Sequence, residues 1–198
     1  AMAKALSCSE VNASMGLICA APTAGSCGIL PGVVLAAREE FGLDDTVVED
    51  ALLTAAAIGS IIAKNATLAG AEGGCQAECG SAAAMAAAAL VHIKGGGAQQ
   101  CLDAAAIALK SVMGLVCDPV AGLVISPCAK RNASGVANAA CAADMALAGI
   151  QSVIPFDEVV DAMKKVGRML PYELRETAKG GIAVSPTALR IQQEIFGS

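Results

Sequence analysis

The segment Gly80-Ser-Ala-Ala-Ala-Met-Ala-Ala-Ala-Ala-Leu-Val91 restricts the architecture of this chain more than any other part of it. Alanine is the strongest helix former and is depleted in strands, and its methyl group lets a neighbouring backbone come close. A core made this way calls for helices packed tightly on helices. The chain is 56% hydrophobic but only 2% aromatic, with no Trp, one Tyr and three Phe, so Ala, Val, Leu, Ile, Met and Cys must supply the core volume. With 198 residues and no linker, charge block or repeat, one domain over 1–198 is expected.

Periodicity and chain breakers place the helices. One is expected over 31–41, with Pro31 in its first turn and Gly42 as its stop. A second follows Asp44 and Asp45, whose side chains can cap it, and runs to Lys64. Further helices are expected over 76–93, 99–113, 129–149, 156–169 and 186–196. Residues 117–127 contain Asp-Pro and Ser-Pro steps and read as a loop with at most one helical turn. Alternating strand patterns are almost absent, with weak candidates only at 16–20 and 182–184. The fold class that follows is all-α.

Composition also excludes several functions. Mean hydropathy is +0.63, yet the apolar runs are short and Lys64, Lys94, Asp103 and Lys110 interrupt them, so no spanning segment of about 20 residues is expected. The start of the sequence lacks the features of a secretory signal, and a cytoplasmic protein off the membrane is the reading. Net charge is −5 and the basic residues are scattered, which argues against a nucleic-acid partner.

Nine cysteines in such a chain suit buried small residues, metal ligands or catalytic groups better than a disulfide framework. Zinc is poorly supported, because no Cys-x-x-Cys pair occurs and His92 is the only histidine. Cys8, Cys19, Cys101 and Cys141 read as core filler. Cys75, Cys117 and Cys128 instead stand beside Gly or Pro and read as iron-sulfur ligands. Three thiolates on a four-iron cluster leave one iron without a protein ligand, and such an iron is a Lewis acid. Cys79 lies four residues from Cys75, and spacing alone does not choose between them.

Three blocks carry a resemblance: Gly16-Leu-Ile-Cys-Ala-Ala-Pro-Thr-Ala-Gly-Ser-Cys-Gly-Ile-Leu-Pro-Gly32, Glu72-Gly-Gly-Cys-Gln-Ala-Glu-Cys-Gly-Ser-Ala-Ala-Ala-Met85 and Cys117-Asp-Pro-Val-Ala-Gly-Leu-Val-Ile-Ser-Pro-Cys-Ala-Lys-Arg-Asn132. Together they resemble the iron-sulfur-dependent bacterial L-serine dehydratases (L-serine ammonia-lyases) over residues 9–184. The resemblance implies a [4Fe-4S] cluster held by Cys75, Cys117 and Cys128, no pyridoxal phosphate, and Cys79 as a bystander. The implied reaction converts L-serine to pyruvate and ammonia, with the open iron polarising the C–O bond. It also implies a β chain or domain and a helical stretch preceding the residues present here, with a homo-oligomer as a further expectation.

The Gly/Pro-rich segment 22–26 suits a small anionic substrate, since Gly25 and Gly28 permit close backbone approach while Thr23, Ser26 and free N–H groups can receive a carboxylate. Asn12 and Ser14 lie just upstream as further substrate-binding candidates. Lys130 and Arg131 follow Cys128; they attract the substrate carboxylate, offset the charge of the cluster, or form a solvated helix start. Glu72, Glu78 and Asp118 flank the cysteines, but adjacency does not establish proton transfer, and the general base is left unassigned. His92 lies outside every block and reads as a helix-end residue. The competing functions are an L-cysteine desulfidase-type elimination, an electron-transfer protein and a non-catalytic helical scaffold.

Overall fold

The computed structural model describes residues 1–197, and among them every regular element is helical. The α-helices are α1 (Met2–Ala13), α2 (Ile29–Phe41), α3 (Asp45–Asn65), the single turn α4 (Gly70–Gly73), α5 (Ser81–Ile93), α6 (Ala98–Lys110), α7 (Cys128–Leu147), α8 (Phe156–Met169) and α9 (Pro186–Phe196). Short 3-10 turns occupy Ala24–Ser26, Val120–Gly122, Tyr172–Leu174 and Gly181–Val184. The one backbone bridge outside helices among the described residues joins Cys117 to Arg175. The fold is all-α.

Helix α5 is the axis of the molecule. All seven of its alanines are buried, and α2, α3, α6 and α7 pack around it. A helix apolar on every side has to be enclosed in this way. Methyl-sized side chains bring the neighbouring backbones close, so the summed dispersion contacts replace the large side chains this chain lacks. One contiguous core runs from Ala5 on α1 to Met163 on α8.

The helix ends follow their local chemistry. Asp44 caps α3 by accepting from Val47 N at 3.0 Å, and Gly42 ends α2 in the left-handed region at φ 61°. Helices α8 and α9 span the expected residues, and α6 stops at Lys110, three residues short of the expected end.

Several expectations are corrected. Residues 16–20 are irregular and exposed, with Leu17 98% accessible, and 182–184 belong to a 3-10 turn, so neither is a strand. Helix α1 has no counterpart in the sequence reading because its apolar periodicity is weak. Cys101 is core filler, but Cys19 and Cys141 are exposed and Cys8 is half-buried, since 14–20 lies outside the core and Cys141 is on the outward side of α7. Helix α3 has the length and apolar content of a spanning segment: an 18-residue window averages a hydropathy of 1.6, with 28% of it buried. Of the charges that interrupted the apolar runs in the sequence reading, only Lys64 falls on this helix, at its C-terminal end. Ala51, Ala55, Ile58, Gly59 and Ile62 form its buried stripe.

Candidate active site

The Cys75 segment begins where the chain leaves α4 through Gly74, whose φ of 76° favours glycine. A π-helical turn over Gln76–Gly80 then leads into α5. Such turns insert one residue into a helix and recur at functional sites. Fully buried Gln76 anchors the turn: its Nε2 donates to Gly73 O at 2.9 Å and Met163 O at 3.2 Å, and its Oε1 accepts from Gly114 N at 2.8 Å. The turn leaves Cys75 Sγ 3.4 Å from Cys79 Sγ.

Cys117 is fixed by its backbone. Its N–H donates to Leu174 O at 2.9 Å, and its carbonyl accepts from Glu176 N at 2.8 Å. Next to it, Asp118 Oδ1 accepts from Arg131 Nη2 at 2.9 Å and Oδ2 accepts from Ile182 N at 2.9 Å. Arg131 Nη1 also donates to Val116 O at 2.8 Å. This buried network ties the 116–118 strip, the first turn of α7 and the 181–184 turn into one wall. Cys128 opens α7 directly after Pro127. Three non-glycine residues in these loops, Ala121, Glu176 and Ala178, hold positive φ, a strained conformation that surrounding contacts must maintain.

Cys75, Cys79, Cys117 and Cys128 are all buried, and their thiols perturb one another. Burial, then the nearby Cys75, raises the Cys117 thiol well above its ordinary value; the same two causes raise Cys128 to about 12. Cys75 is lowered, chiefly by its hydrogen bond with Cys79 and further by Arg131, while Cys79 is pushed well up by that same hydrogen bond and by burial. Burial works against the Arg131 charge, but Cys75 and Asp118 outweigh it and hold the guanidinium above its usual value. Burial also raises the Glu78 carboxyl, opposed by the Thr23 hydroxyl. Its Oε2 stands 4.0 Å from Cys117 Sγ. A Cβ at Gly25 would come within 3.1 Å of Glu78 Oε1, and one at Gly70 within 2.7 Å of Oε2 and 3.3 Å of Cys117 Sγ. These glycines leave a cradle around the carboxylate and the sulfur.

The 22–26 loop lies against this cradle. Thr23 Oγ1 and Ser26 Oγ are 3.0 Å apart, with Ser26 fully buried and Thr23 half-buried. Asn12 Nδ2 donates to Ala24 O at 3.0 Å, so it braces the loop from α1. Ser14 is exposed and donates to Glu10 O within its own helix end, away from the loop. Lys130 is exposed, whereas Arg131 is engaged with Val116 and Asp118. Glu72 is exposed and accepts from Thr67 Oγ1. His92 lines a groove with α3 and α6 that contains Cys101 but none of Cys75, Cys117 and Cys128.

Sequence reasoning missed two features. Cys27, next to the loop, has its Sγ 3.7 Å from Cys8 Sγ, and Asn132, four residues after Cys128, reaches back to the loop. The block 117–132 ended on that asparagine, but its reach depends on how α7 crosses the loop.

The donor set suits an iron-sulfur group: buried thiols, a guanidinium beside them, and the only histidine elsewhere. Among the described residues, no three His, Cys, Asp or Glu side chains form a group that would hold a metal ion. A four-iron cluster asks for less convergence, because each thiolate takes a different iron.

A helical α5-centred core with a thiol-lined site between Gly- and Pro-rich loops defines a class of protein, and comparison with known proteins gives the family. The model of the family described as serine dehydratase alpha chain matches residues 1–183, and the chain belongs to that family. It is 59% identical over 196 residues to the L-serine dehydratase alpha chain of Peptoniphilus asaccharolyticus, covering 99% of this chain and 67% of the relative. It is 55% identical over 197 residues to the probable L-serine dehydratase alpha chain of Bacillus subtilis (strain 168), covering 100% and 66%. Against the L-serine dehydratase of Mycobacterium bovis the identity is 46% over 187 residues, covering 91% of this chain and 40% of the relative. The chain thus spans about two thirds of the first two curated relatives and well under half of the third.

Proposed function

We propose that this chain is the catalytic α-chain region of an L-serine ammonia-lyase, which removes water from L-serine and yields pyruvate and ammonia. The observations that carry the reading are that the chain belongs to the serine dehydratase alpha family and that Cys75, Cys117 and Cys128 are all buried. These three thiols would hold a [4Fe-4S] cluster. When bound, a cluster held by three thiolates supplies a Lewis acid for the substrate hydroxyl, a poor leaving group.

The chain's own residues supply the remainder. The loop offers Thr23 Oγ1 beside Ser26 Oγ, with backbone N–H groups, to the carboxylate of L-serine. Asn12 keeps that loop on α1. Arg131 balances thiolate charge beside Cys75, and Asp118 fixes its direction. With Arg131 so engaged, it offsets cluster charge rather than receiving the substrate. Burial of the thiols keeps water from the reacting centre. The M. bovis relative, of which this chain covers 40%, supports a β chain or domain as partner.

The test is anaerobic reconstitution with iron, sulfide and the β partner, followed by a pyruvate assay on L-serine and a sulfide assay on L-cysteine. Turnover of serine that Cys117→Ala abolishes, together with loss of bound iron, is the expected result. Undiminished turnover in Cys117→Ala would defeat the cluster reading, and preferential sulfide release would replace serine by cysteine as substrate.

A further inference from the structure

We propose that Asn132 is a positioning residue that locks the substrate loop to the Cys128 ligand. This rests on the reading of 22–28 as the substrate loop and of Cys128 as a cluster ligand. Asn132 is 1% exposed and lies one helical turn after Cys128 on α7. Its Nδ2 donates to Cys128 O at 2.9 Å and to Gly25 O at 2.8 Å, and its Oδ1 accepts from Gly28 N at 2.9 Å.

The side-chain amide therefore joins segments more than a hundred residues apart in the chain. It uses both of its chemical ends, and that rules out simple replacements. A carboxylate accepts but cannot donate to the two carbonyls; an aliphatic side chain does neither. The loop contacts at Gly25 and Gly28 lie on either side of Ser26, one of the two residues offered to substrate, and Thr23 stands two residues before Gly25. Gly28 is also wedged against α1, where a Cβ would come within 2.3 Å of Ala5 O. The loop is thus clamped between α1 and α7, and Asn132 provides the α7 side with a fixed distance to Cys128. Its effect on the reaction passes through Thr23 and Ser26 and the cluster ligand, without contact to the substrate.

Asn132→Ala and Asn132→Asp test this in two ways. Hydrogen exchange on the full chain, read by mass spectrometry, should speed up by about tenfold or more at Gly25–Gly28 and stay unchanged in α5, because a lost buried hydrogen bond is local. In the reconstituted complex, KM for L-serine should rise by about tenfold at unaltered iron content, with a smaller change in kcat. The aspartate variant preserves side-chain size if the alanine variant fails to fold.

Unchanged KM and unchanged loop exchange in either folded variant would overturn the proposal. Faster exchange throughout the chain would also overturn it, by assigning Asn132 to general stability. A wild-type complex without iron or turnover would overturn the reading of the site itself. The exchange result does not depend on turnover, so the two failures are distinguishable.

Discussion

The interior around α5 and the shell that carries the cysteines are built by opposite means. Around α5, stability is spread over many small identical contacts, and any one alanine resembles the next. In the shell, individual groups hold whole segments: Gln76 fixes the π turn, Arg131 and Asp118 fix the 116–118 strip, and Asn132 fixes the substrate loop. Three of the five non-glycine residues with positive φ among the described residues, Ala121, Glu176 and Ala178, are there as well. The contrast teaches that in this chain a rigid uniform core supports loops whose geometry single polar groups decide.

The contrast can be broken by exchanging the two kinds of damage. Cys128→Ser should eliminate bound iron and turnover in the reconstituted enzyme while the thermal melt of the cluster-free chain barely moves; a melt that collapses would show the shell to be part of the core. The converse is Ala87→Leu in α5, where the added methylenes meet packed backbones. It should destabilise the chain by about 2 kcal/mol in denaturant titrations and leave KM unchanged in the folded fraction. A rise in KM would couple the core to the site.

The border between the two regions is sharpened by Cys27, a thiol that burial, then the hydrogen bond with Cys8, raises from 9.0 to about 12. The raised value means the folded state retains the proton that the unfolded state releases. Its contribution to stability is therefore complete below pH 9 and is lost as pH climbs towards about 12. Cys27→Ala should flatten the fall in stability across that window, where the wild-type slope from this group is at most about 1.4 kcal/mol per pH unit. Equal slopes in both proteins would remove Cys27 from the account. The smallest effect belongs to the periphery: Asp44→Ala should cost about 1 kcal/mol through the lost α3 cap, visible in the melt and invisible in the kinetics.

Much of the helical frame was legible. The runs that became α5, α8 and α9 declare themselves through alanine, periodic apolar residues and a Pro at the first helical position. Cys75, Cys117 and Cys128 stood out in the sequence because Gly or Pro lies within two residues of each. Helix α1 was not legible, since its weakly periodic sequence takes its place from packing on α2 and α7. Lys130 and Arg131 looked equivalent as neighbours, yet helical geometry points one to solvent and the other to Asp118.

What the sequence determined by itself is the all-α class, most helix positions and the residue types of the site, because propensity, periodicity and chain breakers act over a few residues. Tertiary structure alone decided that Asn132 meets Gly25 and Gly28 and that Glu78 sits against Cys117. Those contacts depend on how separate helices cross, and crossing is set by the packing of the whole core rather than by any local stretch of chain.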